Sequence, residues 1–367
     1  MYFLRIFLLL AMLMLAAGCA NLSYYRQAVT GQLDILARTR PITELLDDAP
    51  AAGTDTGTFT PPLAPAVKAR LVTVLQVRDF ATQALALPDN DSYRVYADLD
   101  RQQVAWNVVA TPEFSLTPKE WCFPVAGCVP YRGYFSHRRA QQFAGELRDD
   151  RLDVRVAGVA AYSTLGWFRD PVFSTQLRRS DADIAALIFH ELAHQKLYLR
   201  GDATFNESFA TTVEIEGMRR WLAQAGNKAA LDNYLLDRTR HMQFVELLLK
   251  YRARLETLYA SPLPEERMRA AKARDFEALR AEYGALRENW GGYRGYDTWF
   301  TQDLNNAHLA SIGLYHQYVP AFQALLASVH GDLPAFYRQA RALSRLPTAE
   351  RAARLAAVGV EQARLVP

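Results

Sequence analysis

The chain has 367 residues, half of them apolar, a formal net charge of +3 and three cysteines. That length and apolar share support one fairly large folded unit, or one core with helical extensions, and exclude a disordered chain. A charge so near zero excludes a polyanion-binding protein, so no nucleic-acid partner is expected, and no internal repeat, zinc-finger spacing or phosphate loop is present.

Residues 1–18 read as an export signal. One arginine, Arg5, precedes a short apolar run that ends in Ala16-Ala17-Gly18-Cys19. The run is too short for a permanent membrane span and ends in the small residues of a cleavage site. With Leu15 just upstream it resembles a bacterial lipobox, which implies cleavage before Cys19 and acylation of that residue. Several acyl chains on one cysteine suffice for stable anchoring. The expectation is a periplasmic protein held to a membrane through its N-terminal lipid. Ala20, where an aspartate would resemble an inner-membrane retention signal, directs that expectation to the outer membrane.

Residues 19–90 form an N-terminal helical region, with helices predicted over 22–47 and 66–87 and a Pro- and Gly-rich loop over 48–65. The period then changes. Residues 93–99, 104–110, 131–135 and 154–162 alternate or run apolar in the manner of strands, predicting a small sheet. Between them, Cys122 and Cys128 flank Pro124 and Gly127. In an oxidising compartment that spacing reads as a disulfide, with a thiol metal site as the alternative. Residues 161–168 form either an edge strand able to pair with an extended peptide or a core strand with its turn.

Residues 183–214 carry the chemistry. His190-Glu191-Leu192-Ala193-His194 is the H-E-x-x-H pattern of zinc peptidases. On a helix, side chains four apart share a face, so His190 and His194 can offer two imidazole nitrogens to one ion. Glu191, about 100° round the helix, can reach a water on the metal without being a ligand, as a general base requires. Ser180 and Asp183 predict a capping box, and Gly201 a helix stop. Catalytic zinc takes three protein ligands. Glu207 is the best third, placed in the first turn of a following helix for which Asn206 is a plausible N-cap. Glu214 is either an alternative ligand or a carboxylate that orients a ligand histidine. These residues delimit a core over 91–226.

Residues 227–367 read as a helical C-terminal region. Stretches 229–259 and 264–288 predict a charged helical hairpin, more often a solvated arm than a binding site. A further helical stretch, 297–325, contains Asn305, Asn306, His308 and Tyr315. Paired asparagines inside a helix suggest a hydrogen-bonding task, towards substrate or a metal ligand, or a capping role.

His190-Glu-Leu-Ala-His194, Phe205-Asn-Glu-Ser-Phe-Ala210, the Trp121–Cys128 loop and Ala161–Phe168 together resemble the zinc aminopeptidases of Gram-negative bacteria. The resemblance covers most of the mature chain and implies a gluzincin-like metallopeptidase with one Zn²⁺ on His190, His194 and Glu207. Better-known gluzincins place about eighteen residues between the second histidine and the ligand glutamate, where this chain has twelve. They also carry an acid at the position of Thr211.

The expected fold is α+β and mostly helical, a small sheet followed by a pair of metal-bearing helices and a helical C-terminal region. The expected activity is peptide hydrolysis with Glu191 as the base. Tyr162, Tyr315 and His308 are candidate oxyanion donors, and Glu214, Asp170 and Asp297 candidate anchors for a substrate amine. The alternative is a non-hydrolytic envelope assembly factor or scaffold that keeps zinc for stability, which would have no use for Glu191.

Overall fold

The computed structural model describes residues 23–47, 63–123, 127–159, 164, 166, 168–310, 312 and 317–365. The predicted export signal and Cys19, the 48–62 loop, most of 160–167, and Tyr162 and Tyr315 lie outside them. The fold is α+β and mostly helical.

The predicted 22–47 helix is three elements. Helix α1 covers 23–38, strand β1 Thr39–Pro41 and a short α2 Ile42–Leu46. Pro41 disfavours helical geometry at Arg40, so the chain leaves α1 as an extended segment. Helix α3 (Pro65–Gln83) follows. Strands β2 (Val95–Ala97), β3 (Ala105–Thr111), β4 (Trp121–Phe123), β5 (Gly127–Val129), β6 (Arg132–Tyr134), β7 (Asp153–Val159) and β8 (Val172–Phe173) come next. Helix α4 (His137–Asp149), capped by Ser136, sits between β6 and β7. It escaped the sequence reading because only Ala140, Ala144 and Leu147 face the core, so its apolar stripe is faint.

The strands form three small sheets rather than one. β3 is central, with β6 and β7 antiparallel on either side; β2 pairs with β1 antiparallel and β8 parallel; β4 and β5 make a hairpin. That hairpin is closed by the Cys122–Cys128 disulfide, as the spacing predicted. Tyr24 of α1 stacks on Phe123, with ring centroids 5.4 Å apart, and docks the first helix on it.

Among the described residues nine helices follow: α5 (Asp181–Lys196), α6 (Ala203–Gln224), α7 (Lys228–Tyr259), α8 (Glu265–Asn289), α9 (Asp297–Phe300), α10 (Asn306–Ala310), α11 (Val319–Ser328), α12 (Leu333–Ser344) and α13 (Thr348–Leu365). The main core joins α3, α5 and α6 to α11–α13, from Ile42 through Phe189, Phe205, Phe209, Phe322 and Phe336 to Leu355. Helices α5 and α6, which carry His190, His194 and Glu207, are thus enclosed by segments from both ends of the chain.

Helices α7 and α8 form the predicted hairpin, but it is more than a solvated arm. It holds its own core, Phe244, Leu248, Tyr251, Phe276, Leu279 and Tyr283, roofed by Phe300 and Leu309. Tyr283 stacks on Phe300 with ring centroids 3.8 Å apart.

The predicted 297–325 helix is three short pieces, and Asn306 explains one break. Its buried amide donates to the carbonyls of Pro112, Glu113 and Ser115, and its oxygen accepts from the Tyr259 hydroxyl at 2.7 Å. Its backbone N–H donates to Asp153 at 2.9 Å. One side chain therefore ties α10 to the loop after β3 and to the end of α7. Asn306→Ala would leave several buried groups unpaired and should lower the unfolding free energy by about 2–4 kcal/mol. Urea denaturation checks this; an unchanged midpoint would show that the clamp contributes nothing.

Candidate metal centre

Helix α5 begins as predicted. Ser180 accepts from the Asp183 N–H, and the Asp183 carboxylate accepts from the Ser180 N–H, so the capping box is complete. The helix ends earlier than Gly201, with Leu197 as an extended C-cap. Gly201 serves the turn beyond it, at φ +84°, a conformation that disfavours any side chain.

Helix α6 starts at Ala203, and its N-cap is Asp202, which accepts from the Phe205 N–H at 2.9 Å. This corrects the assignment of Asn206. That residue lies within the first turn, buried, and closes the α5–α6 turn by accepting from the Leu199 N–H at 2.7 Å and donating to the Leu199 carbonyl at 2.8 Å. Glu207 accordingly stands in the second turn, where the helix dipole favours a carboxylate less. Asp202 also holds Arg351 of α13 at 2.7 Å. On the next turns Gly217 lets α6 lie directly on α5, since a Cβ there would fall 2.7 Å from the Phe189 ring.

That packing brings three donor atoms together. The Nε2 atoms of His190 and His194 are 3.2 Å apart, and Glu207 places one oxygen 3.3 Å from the first and the other 3.5 Å from the second. An ion about 2.1 Å from each of three ligand atoms in tetrahedral arrangement holds them about 3.4 Å apart. Among the described residues, His190, His194 and Glu207 are the group able to hold a metal ion. The geometry the spacing predicted is present.

Electrostatics point the same way. Burial alone would depress the His190 imidazole, but hydrogen bonds to Glu207 and Glu214 overcome it and raise its pKa to about 10. His194 is pushed down to about 4 by burial and by the His190 charge. Without a metal, then, His190 carries a positive charge near neutral pH and His194 beside it is neutral. The site is built to hold positive charge. Burial raises Glu191 to about 7, with the carboxylates of Glu207, Asp170 and Glu214 adding to it and His190 opposing.

Glu214 is not a member of the triangle. Its Oε2 lies 3.0 Å from Nδ1 of His190, on the far side of that ring, and its Oε1 accepts from the Tyr234 hydroxyl at 2.8 Å. It therefore holds the His190 ring by Nδ1 and leaves Nε2 facing His194 and Glu207. His194 is supported differently. Its neighbour Gln195 donates to Ser92 and Asp170 and accepts from Asn90 at 2.8 Å, and the 88–92 loop is itself pinned by Arg78, buried and donating to the carbonyls of Pro88, Asn90 and Ser92. Nδ1 of His194 has no hydrogen-bond partner among the described residues.

The other expected site residues go elsewhere. His308 bonds within its own turn to Asn305, and Asn305 donates to the carbonyl of Val154, so these side chains belong with Asn306 at the β7–α10 junction. Asp170 is buried and accepts from the backbone and hydroxyl of Thr164, and Asp297 is held by Tyr283 and Arg294. Neither carboxylate stands open to a substrate amine.

A cleft of about 1050 Å³ opens beside the triangle, lined by His190, Glu191 and Glu214 together with Asn233, Tyr234, Asp237, Arg238, His241 and Tyr296. The sequence reading missed this wall because it assigned α7 to a solvated arm. Its signal was legible, though: 230, 233, 234, 237, 238 and 241 recur at helical spacing and make one face.

A family model described as "Putative aminopeptidase" matches residues 23–355. The chain belongs to that family. No curated protein and no solved structure matches it. The family match spans the sheets, helices α5 and α6 and the α7–α8 hairpin, so the hairpin belongs to the family's fold.

Replacing Glu214 by Gln keeps the shape behind His190 but removes the charge that holds it. Metal affinity should fall 10- to 100-fold. Competition with a chromogenic chelator measures it, and an unchanged affinity would deny Glu214 its role.

Proposed function

We propose that the chain is a zinc peptidase of the bacterial envelope that hydrolyses peptide bonds as an aminopeptidase. The single observation that carries the reading is the His190–His194–Glu207 triangle with Glu191 one residue along, facing the same cleft. Two imidazoles and a carboxylate in tetrahedral spacing favour zinc over calcium or magnesium, which take oxygen donors alone. The family's description points to peptides as substrates.

When bound there, a zinc ion supplies a Lewis acid that polarises a peptide carbonyl and acidifies a water. The chain supplies the rest. Glu191 is half-buried and poised near neutrality, so its carboxylate can take a proton from water and return it to the leaving amine. Glu214 and Tyr234 hold the His190 ring in one orientation. Tyr296 and His241, whose Nδ1 and hydroxyl oxygen are 3.2 Å apart, line the cleft as polar groups able to meet the substrate backbone. A scaffold that kept zinc for stability alone would gain nothing from a half-buried glutamate with a raised pKa beside an open cleft.

The envelope location rests on the sequence of residues 1–19, with Cys19 as the lipid-bearing residue. The Cys122–Cys128 disulfide suits an oxidising compartment. No helix among the described residues is long and apolar enough to cross a membrane.

Glu191→Gln should keep zinc at one ion per chain and lose turnover by a factor of about 10² to 10⁴. Glu207→Ala should lose zinc instead. Metal analysis and hydrolysis of a peptide library on both variants check this. Full activity in Glu191→Gln would sink the mechanism, and zinc retained in Glu207→Ala would remove the third ligand.

A further inference from the structure

Arg238 is an unusual residue to find in the wall of this cleft. Its side chain is only 18 % exposed, and its nearest carboxylate oxygen, Oε1 of Glu214, lies 3.7 Å from Nη1, beyond hydrogen-bond reach. Its Nε is buried and makes no hydrogen bond to any described residue. Glu214 cannot move closer without cost, because its two oxygens already accept from His190 and Tyr234. A guanidinium carries five N–H donors in a planar fork. Holding one largely out of water with its Nε–H unmatched costs free energy unless something else meets it.

The fork's position limits what that can be. Arg238, Tyr234 and Tyr296 all line the cleft that contains His190 and Glu191. Through Glu214, the contacts from its Nη1 to Nε2 of His190 chain together to no more than about 11 Å, and the straight line is shorter. An extended chain covers about 3.3–3.6 Å per residue. A group held by Arg238 therefore lies within two or three residues of a peptide bond placed at the metal triangle.

Planar bidentate donors select planar bidentate acceptors. We propose that Arg238 binds the C-terminal carboxylate of the substrate, which makes this enzyme selective for dipeptides and tripeptides with a free C-terminus. The proposal rests on the peptidase reading and specifies its substrate class. Asp237, beside Arg238 on α7, does not cancel the charge, because its carboxylate is held by Arg240 at 2.8 Å. Arg179, at the other end of the cleft, is the remaining lining cation.

The test uses the full zinc-loaded chain, its Arg238→Gln and Arg238→Lys variants, and pairs of dipeptides and tripeptides that differ only in a free or amidated C-terminus. Steady-state hydrolysis and calorimetric binding are both measured. Wild type should prefer the free acid by on the order of 10- to 100-fold, expressed in KM and in the dissociation constant more than in kcat. Arg238→Gln should lose that preference and bind acid and amide alike. Arg238→Lys should keep part of it, since charge remains while the fork is lost, and it serves as the folded control should the glutamine variant not accumulate. Equal treatment of acid and amide by the wild type overturns the proposal while leaving the peptidase intact. The reverse case, acid bound selectively but no peptide cut, upholds the carboxylate site and overturns the peptidase reading. Binding of neither peptide overturns this proposal outright.

Discussion

Everything in the centre depends on the line along which α6 lies against α5. The Nε2 atoms of His190 and His194, 3.2 Å apart, and the Glu207 carboxylate, whose two oxygens lie 3.3 and 3.5 Å from them, come from two helices, so a shift of one helix by an ångström would break the triangle. The chain fixes that line at several points. Gly217 removes the Cβ that would push Phe189 away, Asn206 closes the turn between the helices, and Asp202 ties the start of α6 to Arg351 at the far end of the chain. The shorter spacing between His194 and Glu207, twelve residues, is accommodated because α6 begins four residues before the ligand and the turn is cross-braced by Asn206.

The second constraint is charge. Glu191, Glu207 and Glu214 crowd into one partly buried region, and carboxylates so placed repel. His190 and Arg238 offset part of that, and a divalent cation would offset more. Burial raises Glu191 to about 7, with the neighbouring carboxylates adding to it, while hydrogen bonds to Glu207 and Glu214 overcome burial and draw His190 up to about 10. Electrostatic cost and metal selectivity are thus one property of the same residues.

Much of the centre was legible because helical spacing is local information. His190, His194 and the Ser180–Asp183 cap lie within one element, and the period alone places them on their faces. Glu207 required a guess about a turn; the structure brings it beside His190 and His194, while the cap was misassigned from Asp202 to Asn206 because either residue type serves as an N-cap. Asn305, Asn306 and His308 were read towards the site, yet their partners are Val154, Asp153 and the 112–115 loop. That pairing is set by tertiary packing, which sequence spacing does not encode. The α7 wall was misread for the opposite reason. Its polar face looks like a solvated surface, and only the placement of α7 beside α5 turns it into a cleft.

The central claim is that one zinc ion sits on His190, His194 and Glu207, and anomalous scattering at the zinc edge from crystals of the zinc-loaded protein tests it most directly. The account predicts one strong peak, about 2.1 Å from Nε2 of His190, Nε2 of His194 and an oxygen of Glu207. A peak coordinated by Glu214 in place of Glu207, or full zinc occupancy anywhere else with none between α5 and α6, would contradict it.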